Sequence, residues 1–221
     1  MERLEDLGKE NIKVFQDDQL YCFTSDAILL SKFTRVKKAD VVADFCAGCG
    51  IVGFNLYALN ANLIDSVTLI EMQKPLYDLS VKSINLNGLQ DKFKAINCKI
   101  QQLENKFAGK FSLITCNPPY MASGRGMVDE KEHIALCRAE ISLSLQELVK
   151  AIAVSLKFGG RVNMVHRADR LAEVIYEFKK NNLEPKRLQM VTGGKKEPYL
   201  FIIEGVKGGK SGIKILNQTE N

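Results

Sequence analysis

From residue 41 onward, short runs of apolar and β-branched residues alternate with stretches whose apolar positions recur at helical spacing. Val41-Val42-Ala43-Asp44-Phe45 predicts a first strand that ends in a glycine-rich turn, with a helix over 49–59 behind it. Residues 66–70 predict a second strand ending at Glu71. Pro75 suits the first turn of the next helix, and Gly88 its C-terminal cap. Residues 93–98 and 111–116 predict a third and a fourth strand. Beyond a loop with Gly124 and Gly126, a long helix is predicted from near Ile134 to Leu156, broken by Gly159-Gly160, and 161–166 predicts a fifth strand. Leu171, Val174, Ile175 and Phe178 mark one apolar face of a helix over 169–180. The strand-like segments 187–192 and 199–205 are joined by Gly193-Gly194-Lys195-Lys196-Glu197-Pro198. That link has no room for a crossover helix, so the pair must be an antiparallel hairpin.

Alternation of this kind predicts an α/β fold with a mostly parallel sheet, helices on both faces, and an antiparallel closing strand. The core spans 41–206. Residues 1–40 form an N-terminal extension in which Thr24 to Leu30 reads as an N-cap and a helix start, and 207–221 is a polar tail.

Composition narrows the class. The 221 residues are 46% apolar and 26% charged, enough for one globular core. The net charge of +5 suits a polyanionic partner but equally a solvated surface. No stretch approaches the roughly 18 uninterrupted apolar residues of a membrane span, and the first residues lack a secretory pattern, so a cytoplasmic protein without a membrane partner is expected. The six cysteines (22, 46, 49, 98, 116 and 137) lie in apolar or glycine-rich surroundings and predict reduced thiols rather than a disulfide framework. With only His133 and His166, neither a histidine nucleophile nor a metal site is expected. A monomer is the default.

Candidate chemistry gathers at strand ends. In Asp44-Phe45-Cys46-Ala47-Gly48-Cys49-Gly50 the glycines permit close backbone approach to a ligand, and amides at the following helix start can bind its polar groups. Glu71, ending the second strand, is placed to accept hydrogen bonds from ribose hydroxyls, or simply to favour a helix N-terminus. Cys46-x-x-Cys49 also admits a redox or zinc reading, but further ligands at suitable spacing are missing. The sharpest signal is Asn117-Pro118-Pro119-Tyr120 after the fourth strand. The two prolines fix the backbone, so that the Asn117 side-chain oxygen and the Pro118 carbonyl can accept both hydrogens of a planar amine. Tyr120 can stack on the base that carries it. The alternative reading is a loop that is merely stiffened.

These motifs resemble the class I, Rossmann-like methyltransferases, whose seven-stranded sheet ends in an antiparallel strand. The resemblance implies S-adenosyl-L-methionine as cofactor and S-adenosyl-L-homocysteine as product. It implies methionine-moiety contacts from Asp44, Cys46, Ala47, Gly48 and Gly50, ribose contacts at Glu71 with Met72, and adenine near Asn97 and Cys98. Asn97-Cys98-Lys99 departs from the acidic residue common there, and Phe158 stands where a proline is usual. The segments 23–30, 135–140 and 165–171 are similar to those of the bacterial valine-tRNA adenine-N6 methyltransferases, which act on the adenine just 3′ of the anticodon. That likeness implies a tRNA partner, with Ser25 and Asp26 closing the cofactor site and Asn117, Pro118, Pro119 and Tyr120 carrying catalysis. Arg125 is the candidate phosphate contact, Arg138 and Glu140 a structural ion pair. Lys186, Arg187, Lys195, Lys196, Lys207 and Lys210 are candidates to meet RNA along the carboxyl edge. Other planar NH2 acceptors (a DNA or rRNA base, a protein glutamine amide) and a non-catalytic nucleoside-binding adaptor remain as alternatives.

Overall fold

The computed structural model describes residues 2–8, 11–20, 25–103, 106–119, 143–194 and 197–220. It opens on a hairpin, β1 (Glu2–Asp6) and β2 (Lys13–Asp17), which pairs antiparallel within itself. Helix α1 (Ser25–Phe33) precedes β3 (Asp40–Phe45). Then come α2 (Ile51–Asn60), β4 (Ile64–Glu71), α3 (Lys74–Leu86), β5 (Phe93–Asn97), a 3₁₀ turn (Ile100–Leu103) and β6 (Phe111–Cys116). Next are α4 (Leu145–Ser155), β7 (Leu156–Arg167), α5 (Leu171–Lys180), β8 (Leu183–Thr192) and β9 (Pro198–Lys207). The short strands β10 (Lys214–Ile215) and β11 (Thr219–Glu220) end the chain.

The main sheet has the order β10-β8-β9-β7-β6-β3-β4-β5, with β11 also on β8. Strands β3 to β7 are mutually parallel, and β9 runs antiparallel to both β7 and β8. The expected hairpin is therefore present, longer at both ends than its apolar runs. The tail read as merely polar contributes two strands of two residues each, which enlarges the seven-stranded core sheet to nine among the described residues.

Alternating side chains split the core into two layers. Val42, Leu69, Leu113 and Val165 face one way and pack with Leu30, Phe33, Phe54, Leu56 and Leu79 of α1 to α3. Ala43, Phe45, Ile114 and Met164 face the other way, toward Leu148, Ile152, Val174 and Phe178 of α4 and α5. Helix α3 ends as its sequence predicts. Gly88 takes φ +64°, its N–H reaches Asn85 O at 3.2 Å, and Leu89 N reaches Ile84 O at 3.1 Å, which satisfies carbonyls the last turn leaves open.

The long helix predicted from Ile134 is corrected. Residues 134–142 lie outside the described ones, and α4 starts at Leu145, where Ser144 forms a reciprocal capping box with Glu147. Such a cap satisfies orphan amides and marks a true helix start. Nor does Gly159-Gly160 end α4: Leu156 is already extended, at φ −73° and ψ 138°, and the glycines lie inside an irregularity of β7.

Helix α1 is held by buried arginines. The Arg187 guanidinium lies 4.2 Å from the Phe33 ring centroid and donates to the Phe33 carbonyl at 3.2 and 3.3 Å, while Arg161 donates to the Arg35 carbonyl and to Asp40. Cations at the end of a helix complement its open carbonyls. The β1–β2 hairpin instead rests on α3, with Phe15 N donating to Ser83 Oγ and Lys13 N to Asn87 Oδ1, each at 2.9 Å.

Candidate active site

Strands β3, β4 and β6 deliver their carboxyl ends side by side. Phe45 is paired with Ile70 on one side and Cys116 on the other, so the turn that begins at Cys46 lies between Glu71 and Asn117. Cys46, Gly48 and Gly50 have φ of +58°, +57° and +90°. At Gly50 a side chain is excluded as well as strained, since a Cβ would come within 2.7 Å of Leu69 and 2.9 Å of Phe54.

Two carboxylates brace this turn. Glu71 accepts from Gly48 N through Oε2 and from Gln73 N through Oε1, both at 2.8 Å. Burial pushes its carboxyl up, against the pull of those amides. Asp44, 1% exposed, lies beneath the turn, taking Thr115 Oγ1 at 2.8 Å and Gly53 N at 3.2 Å. Burial raises it to about 7, with the charge of Glu71 acting in the same direction. Asn97 donates to the carbonyls of Glu71 and Met72 at 2.9 and 3.0 Å and so holds the chain at the end of β4. Met72 is exposed, Ala47 is buried, and Cys98, half-buried, closes the strand pairing with its N–H on Glu71 O.

Asn117 and Pro119 are half-buried and Pro118 is buried. Cys116, just before them, is fully buried, and desolvation and a hydrogen bond with Cys46 push its thiol well above its usual range. Cys46, Cys49, Cys98 and Cys116 are all free thiols; Cys22 and Cys137 lie outside the described residues. Ser25 is exposed at the start of α1, whereas Asp26 is buried and meets Tyr199 Oη at 3.5 Å, which ties α1 to the β8–β9 hairpin. Tyr120, Arg125, Arg138, Glu140, Lys195 and Lys196 lie outside the described residues.

Three of the expected basic contacts, Lys186, Arg187 and Lys207, are corrected. Arg187 is 8% exposed and pairs with Glu204 at 3.1 Å under α1, so it cannot reach an RNA phosphate. Lys207 pairs with Leu183 and donates to Leu156 O, at the end of the sheet opposite Asn117, because β9 runs against β7. Lys186, three residues into β8, is also remote from the carboxyl edge and contacts Lys210 O.

Residues 11–176 match the family model described as the methyltransferase small domain. The chain belongs to that family. The fold is that of a methyltransferase and its cofactor is S-adenosyl-L-methionine, for which the turn braced by Glu71 offers bare backbone at Gly48 and Gly50. A relative from Shewanella putrefaciens, named tRNA1(Val) (adenine(37)-N6)-methyltransferase, is 28% identical over 159 residues, covering 69% of this chain and 64% of that protein. The match thus spans under two thirds of that relative's length. Among solved structures, the predicted O-methyltransferase Atu636 from Agrobacterium tumefaciens superposes with a TM-score of 0.68 at 16% identity, over 88% of each chain. TYW2 of M. jannaschii in complex with AdoMet gives 0.62 at 13%, over 93% of this chain and 85% of that one. The likeness in fold is as the strand order implies.

Sequence reasoning missed Thr115 and Tyr199. Thr115 was legible in part, since it sits near the end of the predicted fourth strand, two residues before Asn117.

Proposed function

We propose that the chain methylates N6 of an adenine in tRNA, at position 37 beside the anticodon of a valine tRNA. The observation that carries this reading is the strand register that sets Asn117-Pro118-Pro119 abreast of the cofactor turn. The relatives' shared name supplies the substrate.

An adenine amine is a weak nucleophile because its lone pair is delocalised into the ring. Asn117 Oδ1 and the Pro118 carbonyl accept its two hydrogens and let the nitrogen pyramidalise as positive charge develops there. Neither Pro118 nor Pro119 has an N–H, so neither proline contributes an amide donor that would compete for those acceptors. Tyr120 stacks on the base. Glu71 takes the ribose hydroxyls while its bonds to Gly48 and Gln73 keep the turn in shape. S-adenosyl-L-methionine, when bound, supplies the electrophilic methyl group and leaves as S-adenosyl-L-homocysteine. Rate comes chiefly from holding the amine in line and excluding water. Ser25 and Asp26 close the site from α1, and Arg125, Lys195 and Lys196 meet the RNA backbone.

Labelled cofactor, offered separately with total tRNA, rRNA, DNA and a protein extract, tests this. Label should enter tRNA, and Asn117→Ala should lower transfer at least about 100-fold with cofactor affinity within a few-fold. Label in DNA or protein only would replace the substrate, and label in no RNA fraction would end the reading.

A further inference from the structure

Two thiols meet at the root of the cofactor turn. Cys46 opens that turn at φ +58°, and Cys116 ends β6 one residue before Asn117. Phe45 and Cys116 are direct partners across the parallel β3–β6 seam. With about 4.8 Å between strands and about 3.8 Å to the next Cα, Cys46 and Cys116 stand roughly 6 Å apart at Cα, inside the span of about 4.4–6.8 Å that a disulfide bridges. Their side chains face each other: the two thiols are hydrogen-bonded, and Cys46 packs against the apolar layer that contains Cys116.

The two thiols are unequal. Cys116 is 0% exposed and burial keeps it protonated, so by itself it is a poor target for an oxidant in solvent. Cys46 is half-buried and lies beside Gly48, around which there is open space. A thiol with solvent on one side and a second thiol on the other has both an approach for an oxidant and a partner to resolve the product. No step of the methyl transfer proposed above needs either sulfur.

We propose that Cys46 and Cys116 form a modification site, at which a hydroperoxide joins the two sulfurs in a reversible disulfide that distorts the cofactor turn. Cys46 Sγ attacks the peroxide and breaks its O–O bond. The sulfur becomes a sulfenic acid, and the other oxygen takes the thiol proton and leaves as water or an alcohol. Cys116 Sγ then attacks the sulfenic sulfur and displaces its hydroxyl, which takes the Cys116 proton and leaves as water. Each sulfur gives up one electron and the peroxide takes both. The new bond draws the sulfurs to about 2 Å. Cys116 is held by strand pairing to Phe45 and Met164, whereas Cys46 lies past the end of β3, so the turn yields and Gly48 N is drawn off Glu71.

The test treats the reduced full chain with hydrogen peroxide and then alkylates the remaining thiols. In a tryptic digest, residues 39–82 and 111–125 should appear joined, with fragmentation placing the bond between Cys46 and Cys116. Calorimetry should show S-adenosyl-L-homocysteine binding weakened about 10-fold or more, the cost of losing one hydrogen bond to a carboxylate. Dithiothreitol should restore it. An absent cross-link overturns the proposal, as does a bond to any other cysteine, the neighbouring Cys49 included. So does a joined chain that binds as tightly as the reduced one. In Cys116→Ala, which lacks the second thiol, peroxide should leave Cys46 open to tagging by dimedone, a reagent for sulfenic acids, and an untagged Cys46 counts against the proposal. If that variant does not fold, Cys116→Ser, which keeps the volume, is read in the same way.

Discussion

Asp44→Asn removes a buried charge while keeping the side chain's shape, and so isolates the electrostatics of the cofactor turn. Burial raises this carboxyl from 3.8 to about 7. Between those values the unfolded chain has released the proton and the folded chain still holds it, so stability falls as pH rises. The penalty is absent below about 3.8 and complete above about 7. At 1.36 kcal/mol per pH unit, that gap corresponds to about 4 kcal/mol, an upper bound. Asparagine can satisfy both partners, because its oxygen accepts from Gly53 N while its NH2 donates to a Thr115 hydroxyl that turns to accept. The variant should match the wild type near pH 4 and exceed it by up to about 4 kcal/mol at pH 8. Urea unfolding of both proteins at each pH from 4 to 8 measures the difference, in which the other titrating groups cancel. Binding of the cationic cofactor, followed by calorimetry, should strengthen from pH 6 to 8 in the wild type and stay flat in the variant. A stability margin that does not change with pH refutes the reasoning.

Removing the cation from the buried Arg187–Glu204 pair has the opposite sign. Arg187→Met strands the Glu204 carboxylate under α1 and should cost about 3–5 kcal/mol, with Glu204→Met in the same chain recovering most of it in denaturant titrations. Gly53→Ala puts a Cβ 2.6 Å from Leu69 Cδ2 and 3.3 Å from Val67 Cγ1, and should cost about 1–3 kcal/mol. An unchanged melting temperature would show that Leu69 swings aside freely.

The strands and the ligand turn were legible because each rests on a local rule: β-branched runs bounded by glycine, and a Pro-Pro pair after a strand. The start of α4 was legible too, since Ser144 and Glu147 stand at capping-box spacing, but helical periodicity running on from Ile134 hid it. Arg187 and Glu204 could not be read as buried. Charged residues are mostly exposed, and only the antiparallel register brings these two together beneath α1. The roles of Glu71 and Asn97 as braces of their own backbone were likewise invisible, because each depends on a neighbouring strand's amide or carbonyl. The short β10 and β11 were missed because a two-residue strand carries no period of its own.

Asp44, Thr115, Asn163 and Glu204 stand next to one another on four adjacent strands, and Arg187 follows on a fifth. A slip of one residue at any of these seams would turn a polar side chain onto the opposite layer, toward apolar neighbours such as Phe45, Ile114 and Met164. The row therefore works as a key that admits one alignment of the strands. Asn117 lies two residues beyond Thr115, just as Cys46 lies two beyond Asp44, so the spacing between the loop at Asn117 and the turn at Cys46 is inherited from a polar seam buried below both.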